Sequence, residues 1–301
     1  MSNLLCNYHH YLIGGALLAS SSIAAYSTYK LLRLQKSKEV KKKDATDYES
    51  EKVLSEYLVF HFGAPHEVLR YSYGPKDSLD FPRRLADECL RVFSTLNKDM
   101  VPSRALDIGC AVGRTSFELT KGFDEVIGID YSEAFVDACN ILKANGSIKY
   151  SVQDEWQLTT PLTAVVDTNI DRNKASFQQG DACNLPLDLG QFGCVVAANL
   201  ICRLHTPMDF LNRLSSLVAP GGFLLLTSPF TFSVEYTPKK NMLGGYKDKD
   251  GNPVWASNTL QKVLELDFEL LESKEMPFFI RETAHKNQWT VAYAMIWKRK
   301  E

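Results

Sequence analysis

Asp107, Gly109 and Gly113 lie close together in the stretch ALDIGCAVGRTSFELT, residues 105–120. An acid and two glycines between a strand pattern and a helical pattern are typical of a loop that approaches a ligand closely, because glycine allows tight turns. The helix that follows offers free N–H groups to a carboxylate or phosphate. The spacing is GxxxG, which is neither the GxGxxG of a dinucleotide site nor a lysine-containing phosphate loop.

Two further acids end the next predicted strands. Asp130 closes the segment GID at 23 residues after Asp107 (130 minus 107), a place where an acid binds the two hydroxyls of a ribose. Asp181 stands in QGDA, where its carboxylate could accept from the exocyclic amine of adenine while the next N–H meets a ring nitrogen. A ligand in such a sheet binds beyond the carboxyl ends of the strands, so we expect one site there.

The elements that must hold these residues alternate between helical and strand patterns from about residue 51. Such alternation predicts βαβ units, an α/β fold with a mostly parallel sheet and helices on both faces. Helical patterns cover 50–63, 83–96, 113–123, 133–146, 207–222 and part of 260–276. Strand patterns cover 103–110, 124–132, 175–182, 194–201, 223–230 and 288–300.

Two stretches interrupt the alternation. Residues 147–178 contain one or two β runs with turns and a polar stretch, and residues 229–255 contain Gly244 and Gly245. We expect both stretches to be mobile cover for the site. The whole domain is expected to span residues 51–301.

DIGCAVG, GID, GDA, the AANL strand and APGG follow one another in this order and together resemble a class I S-adenosylmethionine-dependent methyltransferase over about residues 100–228. The resemblance implies a Rossmann-like fold with a seven-stranded sheet and S-adenosyl-L-methionine as the cofactor. It also implies which residues bind each part of the cofactor. The methionine part would be held by Asp107, Gly109, Cys110, Ala111 and Gly113. The ribose would be bound by Asp130 and Tyr131, the adenine by Asp181 and Ala182, and Asn199 would lie near the methyl group. Two alternatives stay open. Cys110 could be a small core residue, and Asp107 could serve to order the loop through hydrogen bonds with the N–H groups of the loop.

The flanks of this region resemble a narrower family. EYLVFHFG, YSYGPKDSLDFPRR, NLICRLHTP, SPFTFSVEYTPKKNMLGGY and FFIRETAHKNQWTVAYAMIW are similar to the methyltransferase part of ovothiol-biosynthesis enzymes, which extends the resemblance to about residues 51–298. In that family the domain is a 4-mercaptohistidine N1-methyltransferase, usually fused behind an iron-dependent sulfoxide synthase. The synthase part has no counterpart here, so a separate sulfoxide synthase would have to supply free 5-thiohistidine.

An acceptor of this kind needs a guanidinium for its carboxylate, an acid for its ammonium and aromatic walls for its ring. The residues expected to act in catalysis are Asn199, Tyr73, Glu235 and Arg203, and those expected to line the acceptor are Tyr71, Tyr236, Arg281, His285 and Trp289. Tyrosine and tryptophan also serve as plain packing, and Arg281 could equally form a surface ion pair. No residues are spaced as metal ligands, so we expect no metal.

The N-terminal segment, residues 1–34, is predicted to contain a membrane anchor. Residues 11–29 carry no charge, and about 20 apolar residues span a bilayer. Residues 30–43 hold seven Lys or Arg against one acid, which predicts a single-pass protein with its catalytic domain facing the cytoplasm. A signal peptide is disfavoured because residues 1–10 lack Lys and Arg. Residues 35–50 are expected to be a basic, polar linker.

Composition limits the possible functions. The 301 residues are 45% hydrophobic with a formal net charge of −2, which is typical of a globular protein and gives no basic field for nucleic acid. Seven cysteines without a CxxC pair indicate reduced thiols and neither disulfides nor a zinc site. Three alternatives to the ovothiol hypothesis remain: a methyltransferase for another membrane-associated small molecule, one for protein histidine, and an inactive cofactor-binding scaffold tethered to the membrane.

Overall fold

A seven-stranded sheet organises the part of the chain that the computed structural model describes, residues 48–97 and 100–301. The strands in chain order are β1 Arg104–Ile108, β2 Glu125–Asp130, β3 Ser147–Glu155, β4 Leu158–Val165, β5 Ala175–Gln179, β6 Phe192–Ala198, β7 Val218–Ser228, β8 Tyr246–Lys247, β9 Pro253–Val254, β10 Phe268–Arg281 and β11 Asn287–Arg299. The sheet order is β5–β2–β1–β6–β7–β11–β10. Five strands are parallel, and β11 runs antiparallel to both of its neighbours. The predicted mostly parallel, Rossmann-like α/β fold is confirmed.

Helices cover both faces of this sheet, as expected. They are α1 Glu51–Phe62, α2 Pro65–Val68, α3 Phe81–Phe93, α4 Arg114–Leu119, α5 Glu133–Asn145, α6 Pro207–Leu217 and α7 Ala256–Leu264. Neighbouring side chains of a strand point to opposite faces: Leu106 packs in a core with α6 and α7, whereas Ala105 packs with α3. Helix α6 ends earlier than predicted, because Val218 is already extended and Pro220–Gly222 lie inside β7.

Helix α1 lies over the carboxyl edge of the sheet. Its Leu58 and Phe62 belong to the same buried cluster as Ala111 and Val112 of the glycine loop. The Ser50 hydroxyl accepts a hydrogen bond from the backbone of residue 53 at 3.3 Å and caps the helix. The helix therefore packs on the loop between β1 and α4 and covers it.

The two stretches expected to be mobile cover are tied to the rest of the domain. β3 and β4 form an antiparallel hairpin, and the backbone oxygen of Asp154 near its tip accepts from the N–H of Ala284 at 3.2 Å. In residues 229–255, the Thr237 hydroxyl donates to the Leu204 carbonyl at 2.7 Å, and Leu243 is buried in the core. Both stretches thus have defined contacts with the edge where the site was expected.

The predicted membrane span, residues 11–29, lies outside the described residues. Among residues 48–97 and 100–301, no helix combines the length and the apolar character needed to cross a membrane.

Candidate active site

The glycine loop between β1 and α4 adopts a conformation that requires glycine. Gly109 and Gly113 have φ angles of +75° and +83°, in the left-handed region that side chains disfavour. A Cβ at Gly113 would lie 2.9 Å from the Cys139 sulfur. The Gly109 N–H donates to the Ile129 carbonyl at 2.7 Å, which binds the loop to the end of β2. The loop is thus a fixed cradle without side chains at two positions.

Asp130 at the end of β2 accepts backbone hydrogen bonds on both carboxylate oxygens. Oδ2 accepts from the Ala111 N–H at 2.8 Å, and Oδ1 accepts from the Ser132 N–H at 2.9 Å. Burial raises the pKa of Asp130, and these backbone N–H groups oppose the rise. Each oxygen keeps a further lone pair, which suits the two ribose hydroxyls expected there. Tyr131 beside it is 75% exposed and free to cover a ligand.

Asp107 at the end of β1 is 2% exposed. Its Oδ2 accepts from the Ser116 hydroxyl at 2.6 Å. Burial raises the pKa of Asp107 to about 7, although the Ser116 bond acts in the other direction. A positive group of a ligand would favour the ionised form, so this carboxyl suits an ammonium. The bond to Ser116 also fixes α4 against β1, which keeps the structural alternative open.

The Cys110 side chain packs inward. It is buried near Cys139, and both thiols donate to the Ala111 carbonyl, Cys110 at 3.7 Å and Cys139 at 3.2 Å. A Cβ at Gly128 would lie 3.1 Å from the Cys110 sulfur. Only the backbone of Cys110 is therefore placed to face a ligand.

Asp181 and Ala182 follow β5, the edge strand that pairs with β2, and β2 ends at Asp130. The Asp181 Oδ1 accepts from the Cys183 N–H at 2.8 Å and caps a short 3-10 turn. Asp181 is exposed, whereas Ala182 is buried in the core. The second carboxylate oxygen of Asp181 is left for an exocyclic amine.

Asn199 follows β6, which pairs with β1. Its φ of +54° is left-handed, a conformation that asparagine tolerates better than most residues. The backbone N–H donates to the Thr227 carbonyl at 2.9 Å, and Oδ1 accepts from the Thr227 hydroxyl at 3.0 Å. The amide Nδ2 remains as a donor at the tip of the sheet.

Arg203 lies on the turn directly after Asn199 and forms the centre of an aromatic group. Its guanidinium stacks over the Tyr236 ring at 4.9 Å and is close enough to Tyr48 that its charge acts to lower the pKa of that phenol. The ring centroids of Tyr57 and Tyr48 lie 6.0 Å apart in an edge-to-face arrangement. We call Arg203, Tyr48, Tyr57 and Tyr236 the arginine–tyrosine cluster. Arg203 also donates to the Thr231 carbonyl at 2.8 Å. No carboxylate of the described residues forms an ion pair with it.

The arginine–tyrosine cluster adjoins the cofactor side of the site. Burial raises the pKa of Tyr57 well above its usual value, and the nearby groups Tyr48 and Asp130 add to the rise. The ring centroids of Tyr57 and Phe135, on α5, lie 4.8 Å apart. Arg203 and Tyr236 were predicted from the sequence, whereas Tyr48 and Tyr57 were missed. Tyr57 was recognisable as an aromatic residue on the apolar face of α1, but no pattern marks Tyr48.

The remaining candidates other than Glu235, which precedes Tyr236 in the chain, form a second group at the tip of the β10–β11 hairpin. Arg281 is 4% exposed and pairs with Asp154 at 2.6 Å, so its guanidinium already has a carboxylate. This pairing does not agree with the prediction that Arg281 binds the acceptor. Tyr71 contacts the His285 Nδ1 at 2.9 Å. The other three candidates are exposed residues: Tyr73, Trp289 and Glu235.

Tyr73 and Trp289 make their contacts with residues outside the arginine–tyrosine cluster. Tyr73 stacks on Tyr71 with ring centroids 5.3 Å apart. The Trp289 indole N–H donates to the Ser78 hydroxyl at 2.7 Å. Within residues 48–97 and 100–301, no three His, Cys, Asp or Glu side chains are grouped as metal ligands.

Comparison with known proteins finds similarities over part of the chain. Residues 106–226 match a family described as "Methyltransferase domain". Norajmaline N-methyltransferase of Rauvolfia serpentina is 28% identical over 147 residues, a match covering 48% of this chain and 42% of that protein. Ajmaline N-methyltransferase of the same plant is 26% identical over 148 residues, covering 48% and 43%. The chain therefore covers less than half of the length of either relative.

Solved structures resemble the chain more distantly. The N-methyltransferase NodS from Bradyrhizobium japonicum WM9 is 17% identical, with a TM-score of 0.45 over 75% of this chain and 99% of that one. Magnesium protoporphyrin IX methyltransferase from Synechocystis PCC 6803 is 14% identical, with a TM-score of 0.46 over 83% and 98%.

The residues at the carboxyl edge suit S-adenosyl-L-methionine. Gly109 and Gly113 give the loop the left-handed turns that bring its backbone to the carboxyl edge, and Asp130 has lone pairs directed to neither of its backbone partners. Asp107 offers a carboxyl whose ionisation a ligand ammonium would favour. These three features match the glycine, ribose and ammonium requirements of that cofactor.

Proposed function

From the premise that residues 106–226 form an S-adenosylmethionine-dependent methyltransferase domain, we propose that this protein methylates an imidazole nitrogen of 5-thiohistidine (4-mercaptohistidine) or a related small histidine derivative. Two relatives are named as N-methyltransferases, which supports nitrogen as the accepting atom. The flanking similarity to ovothiol-biosynthesis enzymes supports the histidine derivative.

The arginine–tyrosine cluster is the observation that carries the proposal. Arg203 lies four residues after Asn199 (203 minus 199), and it has no ion-pair partner among the carboxylates of the described residues. A guanidinium in this state is suited to a substrate carboxylate, which it binds through charge-assisted hydrogen bonds. Tyr236, stacked on Arg203 at 4.9 Å, and the nearby Tyr48 offer flat walls to a planar ring. A small amino acid with an aromatic side chain satisfies both features.

The tyrosine hydroxyls of the cluster act as neutral hydrogen-bond groups. Burial above all raises the pKa of Tyr48 to about 12, and it raises that of Tyr57 well above its usual value. Both phenols therefore stay protonated at neutral pH and cannot serve as the general base. The chemistry does not need a strong base, because an imidazole with a pKa near 6.5 is largely neutral at pH 7.

The roles of the chain's own residues follow from this. Arg203 holds the acceptor carboxylate, and the tyrosine rings orient the imidazole. Helix α1, which covers the glycine loop, keeps water from the reacting atoms. When bound, S-adenosyl-L-methionine supplies a methyl group already activated on a sulfonium. Hydrogen bonding to the second ring nitrogen would select the tautomer that attacks. Glu235 is exposed on the loop next to Tyr236, within the segment that would bind the acceptor ammonium.

Supply of the substrate is a separate reaction in this account. 5-Thiohistidine carries a carbon–sulfur bond on its ring, so an enzyme that forms this bond is the proposed supplier. We keep the N-terminal anchor and a cytoplasmic active site as part of the proposal, on the basis of the uncharged residues 11–29 and the basic residues that follow.

The test is a comparison of acceptors with the full-length protein. It is incubated with S-adenosylmethionine and, separately, with 5-thiohistidine, histidine and a histidine-containing peptide, and products are read by mass spectrometry. Gain of one methylene mass on 5-thiohistidine alone would support the proposal. Methylation of the peptide would indicate a protein-histidine methyltransferase. Binding of S-adenosylhomocysteine with no product from any acceptor would sink the histidine assignment and favour a membrane-derived acceptor or an inactive scaffold.

A further inference from the structure

His61 is a buried histidine with an atom that has no partner. It lies near the end of α1 and is 8% exposed. Within the described residues, its Nδ1 has no hydrogen-bond partner. Buried polar atoms nearly always have one, and an exception calls for an explanation such as a ligand. His61 belongs to none of the groups described above.

The helical position of His61 places it over the glycine loop. Side chains three and four residues apart share one face of a helix. Tyr57 and Leu58 precede His61 by four and three positions, and Leu58 is buried together with Cys110, Ala111 and Val112. The ring centroids of Tyr57 and His61 lie 6.1 Å apart. His61 is therefore part of the face of α1 that covers the cradle.

A second observation places His61 near the start of α4. The charge of Arg114, the residue after Gly113, contributes to the lowering of the His61 pKa. The Arg114 guanidinium lies 5.4 Å from the ring centroid of Phe62, the neighbour of His61. The histidine is thus close to the start of α4, which follows the loop that would hold the methionine part of the cofactor.

We propose that His61 is a binding residue for the amino-acid end of S-adenosylmethionine, contacted through its Nδ1. The ring is suited to this because burial, helped by Arg114, lowers the pKa of His61 to about 3. A neutral imidazole has one N–H donor and one acceptor nitrogen. It can accept from the ammonium or donate to the carboxylate of that end. The contacts expected for adenine and ribose lie elsewhere, on Asp181 and Asp130 respectively.

The inference is tested by two ligands that differ only at the amino-acid end. S-adenosylhomocysteine carries that end, and 5′-methylthioadenosine lacks it. Affinities of both are measured by calorimetry for the full-length protein and for His61→Phe, which removes both ring nitrogens. His61→Phe should bind S-adenosylhomocysteine about tenfold more weakly and 5′-methylthioadenosine as the unmodified protein does. His61→Asn, which keeps a polar atom near the Nδ1 position, should recover part of the loss.

The control is His66→Phe, because His66 is exposed on α2; it should alter neither affinity. An unchanged affinity of His61→Phe for S-adenosylhomocysteine would overturn the inference, and so would an equal loss for both ligands. If His61→Phe fails to fold, the nitrogen NMR signal of His61 in the unmodified protein decides instead. That signal should shift with S-adenosylhomocysteine and stay unchanged with 5′-methylthioadenosine. Because no acceptor is present, the outcome is independent of the acceptor assignment.

Discussion

The Asp130 carboxylate accepts a hydrogen bond from the Ala111 backbone N–H at 2.8 Å. This bond connects the end of β2 to the glycine loop after β1. Ala111 has a left-handed φ of +48°, a conformation that a residue with a side chain adopts only when its surroundings hold it. Asp130 therefore has two tasks, since it supports the loop and offers its remaining lone pairs to a ribose.

Asp130→Asn should weaken binding of S-adenosylhomocysteine by about 10- to 100-fold, the loss expected when hydrogen bonds to a charged group are removed. The amide would set an N–H₂ group against the N–H of Ala111 or Ser132. Calorimetry measures the change. Asp137→Asn, an exposed position on α5, is the matched control. Equal affinities for the two variants would show that Asp130 does not bind the cofactor.

Arg203→Met should raise the KM for 5-thiohistidine by about tenfold or more, because a charge-assisted bond to the substrate carboxylate is lost. The affinity for S-adenosylhomocysteine should stay within about twofold, which is an expectation from the placement of Arg203 after Asn199. Steady-state kinetics and calorimetry give the two numbers. Arg83→Met removes an exposed arginine on α3 and should change neither. A lower affinity for S-adenosylhomocysteine with an unaltered KM for 5-thiohistidine would instead show that Arg203 binds the cofactor.

Asp107 should make the free energy of unfolding fall as the pH rises. Its pKa is about 7 in the folded protein and near 3.9 in an unfolded chain. The folded state holds the proton more tightly, so the stabilisation present at low pH is lost as the pH rises through about 7. Between pH 5 and pH 8 the unmodified protein should lose about 2–3 kcal/mol relative to Asp107→Asn.

Denaturant unfolding of both proteins at the two pH values measures this difference. The asparagine side chain in the Asp107→Asn variant cannot titrate, while it can still accept from Ser116, so the comparison isolates the carboxyl group. A gap in stability that is constant from pH 5 to pH 8 would show that Asp107 has an ordinary pKa.

Gly113→Ala should destabilise the domain more than Gly251→Ala. The two glycines have similar φ angles, +83° and +86°, so a left-handed alanine costs about 1–2 kcal/mol at either. A Cβ at Gly113 meets the Cys139 sulfur and Phe177 at 2.9 Å, whereas nothing lies within 4 Å of one at Gly251. Overpacking should add about 1–3 kcal/mol at Gly113. Thermal or denaturant unfolding compares the variants, and equal losses would mean that the cradle has spare room.

Features fixed by neighbouring residues could be predicted from the sequence. Gly146 ends α5 in the left-handed conformation, as its position after a helical pattern indicates. The glycine loop and Asp130 stand where the strand and helix patterns place them. The end of α6 was predicted less well, because proline and glycine at residues 220–222 mark a break without saying whether it ends a helix or lies in a strand.

Partners distant along the chain could not be predicted. Arg203 and Arg281 both stand in flanking segments, and nothing local distinguishes them. Arg281 meets Asp154, 127 residues earlier, whereas Arg203 meets tyrosines of the N-terminal part. His61 was missed for a related reason: a helical pattern shows that one face is buried but does not show what that face covers.

The most direct test of the central claim is to locate the transferred methyl group. The full-length protein is given S-adenosylmethionine labelled with carbon-13 in the methyl group, together with 5-thiohistidine, and the product is examined by NMR. The account predicts a labelled carbon bonded to an imidazole nitrogen, with couplings to the adjacent ring carbons. A label on the sulfur, or an unmodified acceptor while the protein binds S-adenosylhomocysteine, would contradict it.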